Sequence, residues 1–259
     1  MVADDLGHAD AWPTEAGRVV SLVPSITEAL ASARPEALVG ATDWCTHPAD
    51  LDVARVRGTK NPDLKAIEAL EPDLVVVNKE ENRELDVRRL REAGVRVWVT
   101  DIETVPQAVD SLEQLFTEAL GWAAPDWLAQ AREAWSGEIP EPTRTVVIPI
   151  WRDPWMVVGA TTFTSDLVAR LGWRNLWAEE AHNPAQDRYS HADPAAIDGA
   201  GADAVLLPDE PYVFTADDGP EVFERTPVEL VSGRLLTWYG PSLLDARTSV
   251  RREGGSIAT

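Results

Sequence analysis

The sequence predicts an α/β protein of two lobes, each with a central, mainly parallel sheet flanked by helices, the two joined by a helical spine. Three observations carry this. Arg18-Val-Val-Ser-Leu-Val-Pro24 and Arg144-Thr-Val-Val-Ile-Pro149 are matching β-branched runs that end at prolines. In each half a second apolar run follows, Leu74 to Val77 in the first and Ala204 to Leu207 in the second. Gly137-Glu-Ile-Pro-Glu-Pro142 then reads as a linker between the halves. The expected organisation is a polar N-terminal segment 1–17, an N-terminal lobe 18–104, connecting helices 105–137 and a C-terminal lobe 138–259. Two lobes imply a cleft, and such clefts bind ligands.

Residues before Gly17 are polar and acidic and are expected to fray or wrap loosely on the surface. The first strand is expected from Val19 to Val23. Ser25 with Glu28 three positions on matches a capping box, so a helix is expected to start there and end before Pro35. Leu38 to Ala41 is a short second strand, followed by the loop Thr42-Asp-Trp-Cys-Thr-His-Pro48. Asn61-Pro62 reads as a helix cap with proline at the first helical position, and Leu64, Ile67 and Leu70 then keep helical spacing. Leu74 to Val77 fits a strand covered on both faces. A charged loop, Asn78 to Arg83, leads to a helix stopping at Gly94 and a strand from Val95 to Val99. Helical spacing from Val105 to Leu120 is followed by a second helix, Pro125 to Trp135. About eleven residues there span roughly 16 Å, against about 30 Å for a twenty-residue spine. In the second lobe the order is a strand from Arg144, an aromatic loop, a strand Met156 to Val158, helices Ser165 to Leu171 and Pro194 to Ala200, and a strand Ala204 to Leu207.

A chain of 259 residues with formal charge -21 repels polyanions, so no nucleic-acid partner is expected. The apolar runs are strand-sized, far short of the roughly 20 residues that cross a bilayer, so no membrane insertion is expected. A single cysteine excludes an internal disulfide. Acids occupy the first residues where a secretory signal would carry a basic then an apolar region. A cytoplasmic location is therefore expected, with export only if a signal segment has been removed.

Unusual residues gather after strands: Trp44, Cys45 and His47; Lys79; Trp151, Arg152 and Trp155; Asp209, Glu210 and Tyr212; Trp238 and Tyr239. Ligands of open α/β sheets sit beyond the carboxyl ends of strands, which makes these loops the place for a site, with Lys60 beside them. Any one of eleven tryptophans is more often packing than recognition. Lys60, Lys79 and Arg152 suit carboxylate, phosphate or amide oxygens, although such residues are commonly solvated surface charges. The rival reading is a cofactor-modifying enzyme using Cys45 and His47 as nucleophile and base; against it, no acid or oxyanion element is specified nearby. The bland alternatives are an apolar filler for Cys45 and a backbone-bonded loop residue for His47. Only four histidines exist, none paired at metal-site spacing; His182 and His191 flank Asp187 and suit at most an adventitious ion. No catalytic residue, metal or covalent cofactor is therefore expected.

Taken in order, Leu22-Val-Pro-Ser-Ile-Thr-Glu28, Val39-Gly-Ala-Thr-Asp-Trp44 with His47-Pro48, Asn61-Pro-Asp-Leu64, Leu70-Glu-Pro-Asp-Leu-Val75 and Asp153-Pro-Trp-Met-Val-Val-Gly159 resemble the helical-backbone metal receptor superfamily, the class III periplasmic binding proteins. The closest likeness is to the cobalamin-binding proteins of ABC importers. The resemblance implies a non-enzymatic protein that holds a cobalamin or related corrinoid between its lobes, with a ferric siderophore or haem as the alternative ligand. Aromatic contacts of the family fall here at Trp44, Trp155, Tyr189 and Trp238, while a further one falls at Thr59. The two glutamates that dock secreted members on the permease fall at Lys65 and Ala195. Docking on an importer is therefore doubtful, and the chain looks like an unsecreted relative.

Overall fold

The computed structural model describes residues 2–252. Its contacts divide the chain into two units. The first comprises residues up to Ile102, Gln107–Arg132 and Tyr239–Pro241; the second comprises Glu103–Pro106, Glu133–Trp238 and the chain from Ser242.

In the first unit the order is β1 (Val19–Ser21), α1 (Pro24–Ala31), β2 (Leu38–Ala41), β3 (Ala54–Arg55), β4 (Arg57–Gly58), β5 (Asn61–Pro62), α2 (Leu64–Ala69), β6 (Leu74–Asn78), α3 (Glu84–Glu92) and β7 (Val97–Thr100). The helices α4 (Val105–Gln114), which continues as a π-helical turn Leu115–Ala119, and α5 (Asp126–Ala134) follow. A five-stranded parallel sheet forms in the order β3-β2-β1-β6-β7. Val20, Leu22, Val75, Val77, Val97 and Val99 pack with Ile67, Val87 and Leu90 of α2 and α3. Burial on both faces explains the unbroken apolar run in β6.

The second unit runs β8 (Arg144–Val147), β9 (Pro149–Trp151), β10 (Met156–Val158), α6 (Phe163–Arg170), β11 (Trp173–Asn175), β12 (Tyr189–His191), α7 (Pro194–Asp198), β13 (Ala204–Pro208), β14 (Val228–Val231), α8 (Gly233–Thr237) and α9 (Ser242–Arg252). A parallel sheet of order β11-β8-β13-β14 carries the core, and β12-β10-β9 form a separate antiparallel sheet. In both parallel sheets the first strand has the second on one side and the last two on the other. The two matching sequence runs, β1 and β8, thus hold equivalent places.

Several local expectations are corrected. Pro24 takes the first helical position of α1, where its fixed φ suits it, so Ser25 falls inside the first turn and no side chain caps the helix. Asn61-Pro62 does not start α2: it pairs antiparallel with Arg57-Gly58 across the turn Thr59-Lys60, and the cap is Asp63, whose carboxylate accepts from Ala66 N at 3.1 Å. The N-terminal segment is anchored, not frayed. The buried Asp4 carboxylate pairs with Arg91 at 2.8 Å and accepts from His8 N at 2.8 Å and Val99 N at 3.3 Å. Trp12 meets Trp98 edge-on at 5.0 Å. α5 has nine residues, about 14 Å of rise.

Candidate functional site

In the first unit the loop after β2 turns tightly, with Cys45 N donating to Thr42 O at 3.1 Å. Cys45 is fully buried, its thiol bonded to Thr27 Oγ1 at 3.0 Å and lying 3.1 Å from Thr42 Oγ1. The Arg55 guanidinium, reaching over from β3, donates to the carbonyls of Thr42 and Cys45, both at 2.9 Å, and of Leu51 at 3.1 Å. Trp44, between these anchors, is 64% exposed. Its indole nitrogen lies 3.2 Å from where a β-carbon on Gly58 would stand. The backbone under Trp44 is therefore pinned while its ring faces solvent, an arrangement that buries apolar ligand area at small entropic cost.

The loop after β6 is knitted to the β4–β5 turn. Asn82 donates to Thr59 O at 3.0 Å and Leu22 O at 3.2 Å, and its oxygen accepts from Asn78 N at 2.8 Å. The Lys60 ammonium donates to the Glu80 carbonyl, and Lys79 pairs with Asp101 at 2.6 Å. Tyr239 is buried and donates to Glu81 at 3.3 Å. Burial first, and the Glu81 charge second, push its phenol well above its ordinary value.

In the second unit Trp151, at the end of β9, is 42% exposed and meets Tyr212 edge-on at 5.7 Å. Tyr212 touches Phe214 at 4.7 Å, Phe214 stacks on Trp155 at 5.5 Å, and Phe223 stands edge-on to Trp155 at 5.4 Å. Trp155 is thus part of the core, which its loop position did not foretell. Arg152 is committed to Asp218 and to Glu221, the latter at 2.6 Å, while its guanidinium lies 5.7 Å from the Trp155 ring. The Glu221 hydrogen bond leads in pushing its pKa up, so it stays charged. Tyr212 donates to Asp218 at 2.6 Å. This ring-and-ion network through residues 212–223 was missed in the sequence beyond Tyr212; alternation of aromatics and acids in Tyr212-Val-Phe214 and Asp217-Asp218 was its only signal.

Tyr189 is half-buried on β12, opposite Val158 of β10. Trp238 and Tyr239 follow α8, not a strand. Trp238 is buried and donates to Glu210 at 3.0 Å. Glu210 itself packs against Gly233, where a β-carbon would come within 2.4 Å of its side chain. The His47 ring lies 3.2 Å from Thr46 Oγ1, in an exposed setting.

The chemistry of Cys45 runs against nucleophilic use. Burial raises its thiol pKa, outweighing the two threonine hydroxyls that lower it, whereas a reactive cysteine needs an electropositive, accessible setting. Among the described residues no three His, Cys, Asp or Glu side chains are grouped to hold a metal. His182 instead stacks on Trp177 at 5.4 Å. No helix of the described residues is long and apolar enough to cross a membrane.

No protein-family model matches the chain. The vitamin B12-binding protein of Salmonella typhimurium is 26% identical over 214 residues, covering 78% of this chain and 79% of that one. Its counterpart from Salmonella typhi is 35% identical over 105 residues, 40% of this chain and 39% of its own. Among solved structures, the periplasmic vitamin B12 binding protein of Vibrio cholerae superposes with a TM-score of 0.73 at 18% identity, covering 93% of this chain and 97% of that one. A periplasmic heme binding protein from Pseudomonas aeruginosa gives 0.71 at 20%, over 94% and 95%. The resemblance read from the sequence motifs therefore stands. In sequence the chain is similar to vitamin B12-binding proteins, and its fold is that of the two-lobed class III periplasmic binding proteins.

Proposed function

We propose that this chain is a non-enzymatic receptor for cobalamin or a closely related corrinoid. The observation that carries the reading is Trp44, an exposed indole on a loop fixed by a buried cysteine and a guanidinium clamp, in a chain similar along most of its length to vitamin B12-binding proteins. Trp151, half-exposed and edge-on to Tyr212, is the comparable exposed ring of the second unit. Large aromatic faces suit a bulky, partly apolar macrocycle. Trp155, Tyr239 and Trp238 are buried and act mainly as support. His47 lies on the Trp44 loop and is placed to meet a polar edge of the ligand, while Lys60 and Lys79 hold the neighbouring turns through the Glu80 carbonyl and Asp101. Arg152 holds the 212–223 loop in place.

Delivery to a membrane importer is not part of this reading. Lys65 and Ala195 are both exposed in the first turns of α2 and α7, and neither supplies the acid that docking in the resembled family uses. A lysine at one of the two positions reverses the charge that docking in the resembled family uses.

Titration with cyanocobalamin, followed by calorimetry because the corrin absorbs where tryptophan emits, should give a saturable heat at micromolar ligand. Trp44→Ala and Trp151→Ala should each weaken it. A flat titration to high micromolar concentration would overturn the reading.

A further inference from the structure

The β4–β5 hairpin of the first unit is held at its base and at its tip. At the base Asp43 N donates to Arg57 O at 2.9 Å, which ties the hairpin to the loop that carries Trp44. At the tip, Thr59-Lys60, it is tied to the loop after β6. Lys60 makes one of those ties from an exposed position, through the Glu80 carbonyl. Asn82 makes the other from a buried one, donating to Thr59 O at 3.0 Å. Between base and tip stands Gly58, the residue nearest the Trp44 indole nitrogen on this hairpin.

The Asn82 side chain is fully committed. Its amide nitrogen also donates to Leu22 O at 3.2 Å, just before α1, and its oxygen accepts from Asn78 N at 2.8 Å. Asn78 is itself buried, donating to Thr100 Oγ1 at 3.1 Å and accepting from Glu80 N at 2.8 Å. Two carbonyls face the Asn82 nitrogen and one N–H faces its oxygen, so neither a flipped amide nor an aspartate satisfies all three. The ends of β1, β6 and β7 thus converge on a network whose one outward bond reaches the hairpin tip. Buried and satisfied, that network fixes geometry more firmly than the Lys60 bond, which water competes for.

We propose that Asn82 is a positioning residue for ligand binding: it holds the hairpin tip so that Gly58 supports the Trp44 ring, and it acts on the ligand only through that ring. The proposal rests on the corrinoid reading above and deepens it by naming what sets the exposed indole. A ring fixed before the ligand arrives loses little freedom on binding, so its buried area counts more fully toward affinity.

Asn82→Ala and Trp44→Ala, made singly and together, are titrated with cyanocobalamin. In the parent chain Asn82→Ala should weaken binding roughly three- to tenfold, the effect of immobilising one loosened side chain on binding. In the Trp44→Ala background the same change should weaken it less than about twofold, because the ring it positions is gone. A general loosening of the unit would weaken binding by the same factor in both backgrounds, and that result would overturn the proposal. A spectroscopic arm needs no ligand. The polarised emission of Trp44, taken as the difference between each protein and its Trp44→Phe counterpart, should depolarise faster in Asn82→Ala than in the parent. Unchanged depolarisation would also overturn the positioning role. Where Asn82→Ala does not fold, one glycine inserted between Thr59 and the exposed Lys60 takes its place. It lengthens the tip without emptying the buried site, and the same results support or overturn the proposal. Absence of cyanocobalamin binding by the parent would overturn the corrinoid reading itself, while the depolarisation still decides the role of Asn82.

Discussion

The indole nitrogen of Trp44 sits 3.2 Å from the position a β-carbon would occupy on Gly58. An exposed ring after β2 therefore rests against the β4–β5 hairpin, and that hairpin position is open only because it has no side chain. Gly58→Ala must move Asn61, whose side-chain oxygen would be 2.5 Å from the new methyl, or lift Trp44. The expected result is a shift in Trp44 emission and a cyanocobalamin affinity weaker by roughly three- to tenfold, from the lost preorganisation. Unchanged emission and affinity would show that the ring does not depend on the hairpin.

Trp44 and Trp155 should respond oppositely to truncation. Trp44→Ala should leave denaturant stability within about 0.5 kcal/mol and cost about 1–2 kcal/mol of ligand binding, as expected of an exposed contact ring. Trp155 is buried among Phe214 and Phe223, so Trp155→Ala should cost about 3–5 kcal/mol of stability. Chemical denaturation and calorimetry on the two variants check both halves.

Cys45 should resist thiol-reactive labels in the folded protein and react promptly once it is unfolded. Burial raises its folded pKa above the ordinary value of a thiol. A raised pKa stabilises the fold fully below the unfolded value and loses that stabilisation as pH climbs past it. Stability should therefore decline above about pH 9 in the parent, and that part of the decline should be absent in Cys45→Ala. Rapid native labelling would revive a catalytic role for the thiol.

Arg91→Ala would leave the Asp4 carboxylate, with no exposed side-chain surface, without its cation. Loss of about 3 kcal/mol is expected, because breaking one partner of a buried pair strands a charge. Asp5 responds with the opposite sign. Burial raises its pKa more than its bonds to Ser111 and Asp101 lower it, so its ionised form costs stability at neutral pH. Asp5→Asn should be as stable as the parent or more so at pH 7, and the advantage should vanish as acidification protonates the parent's carboxyl. Thermal melts across pH check both variants.

The parallel strands were legible because two-sided burial leaves continuous apolar runs such as Leu74 to Val77 and Ala204 to Leu207. β11, β12 and β14 were not, since Trp173-Arg-Asn175, Tyr189-Ser-His191 and Val228-Glu-Leu-Val231 mix polar and apolar residues without a clean period. Asn61-Pro62 misled because a proline before a helix and a proline on a short edge strand look alike locally; the partner strand at Arg57-Gly58 decides. At the site, the aromatic positions were readable but their exposure was not. Trp151 and Trp155 sit four residues apart around one turn, and only the partners brought by residues 212–223 send one to the surface and the other into the core. The engagement of Arg152 depended on the same distant loop.

The succession of rings from Trp151 through Tyr212 and Phe214 to Trp155 also has an optical consequence. With Tyr212 centred 5.7 Å from Trp151, ultraviolet energy absorbed by the phenol passes to the indole before it can be emitted. Tyrosine light from this loop should appear only when the second unit comes apart, which gives that unit a private signal of its own unfolding.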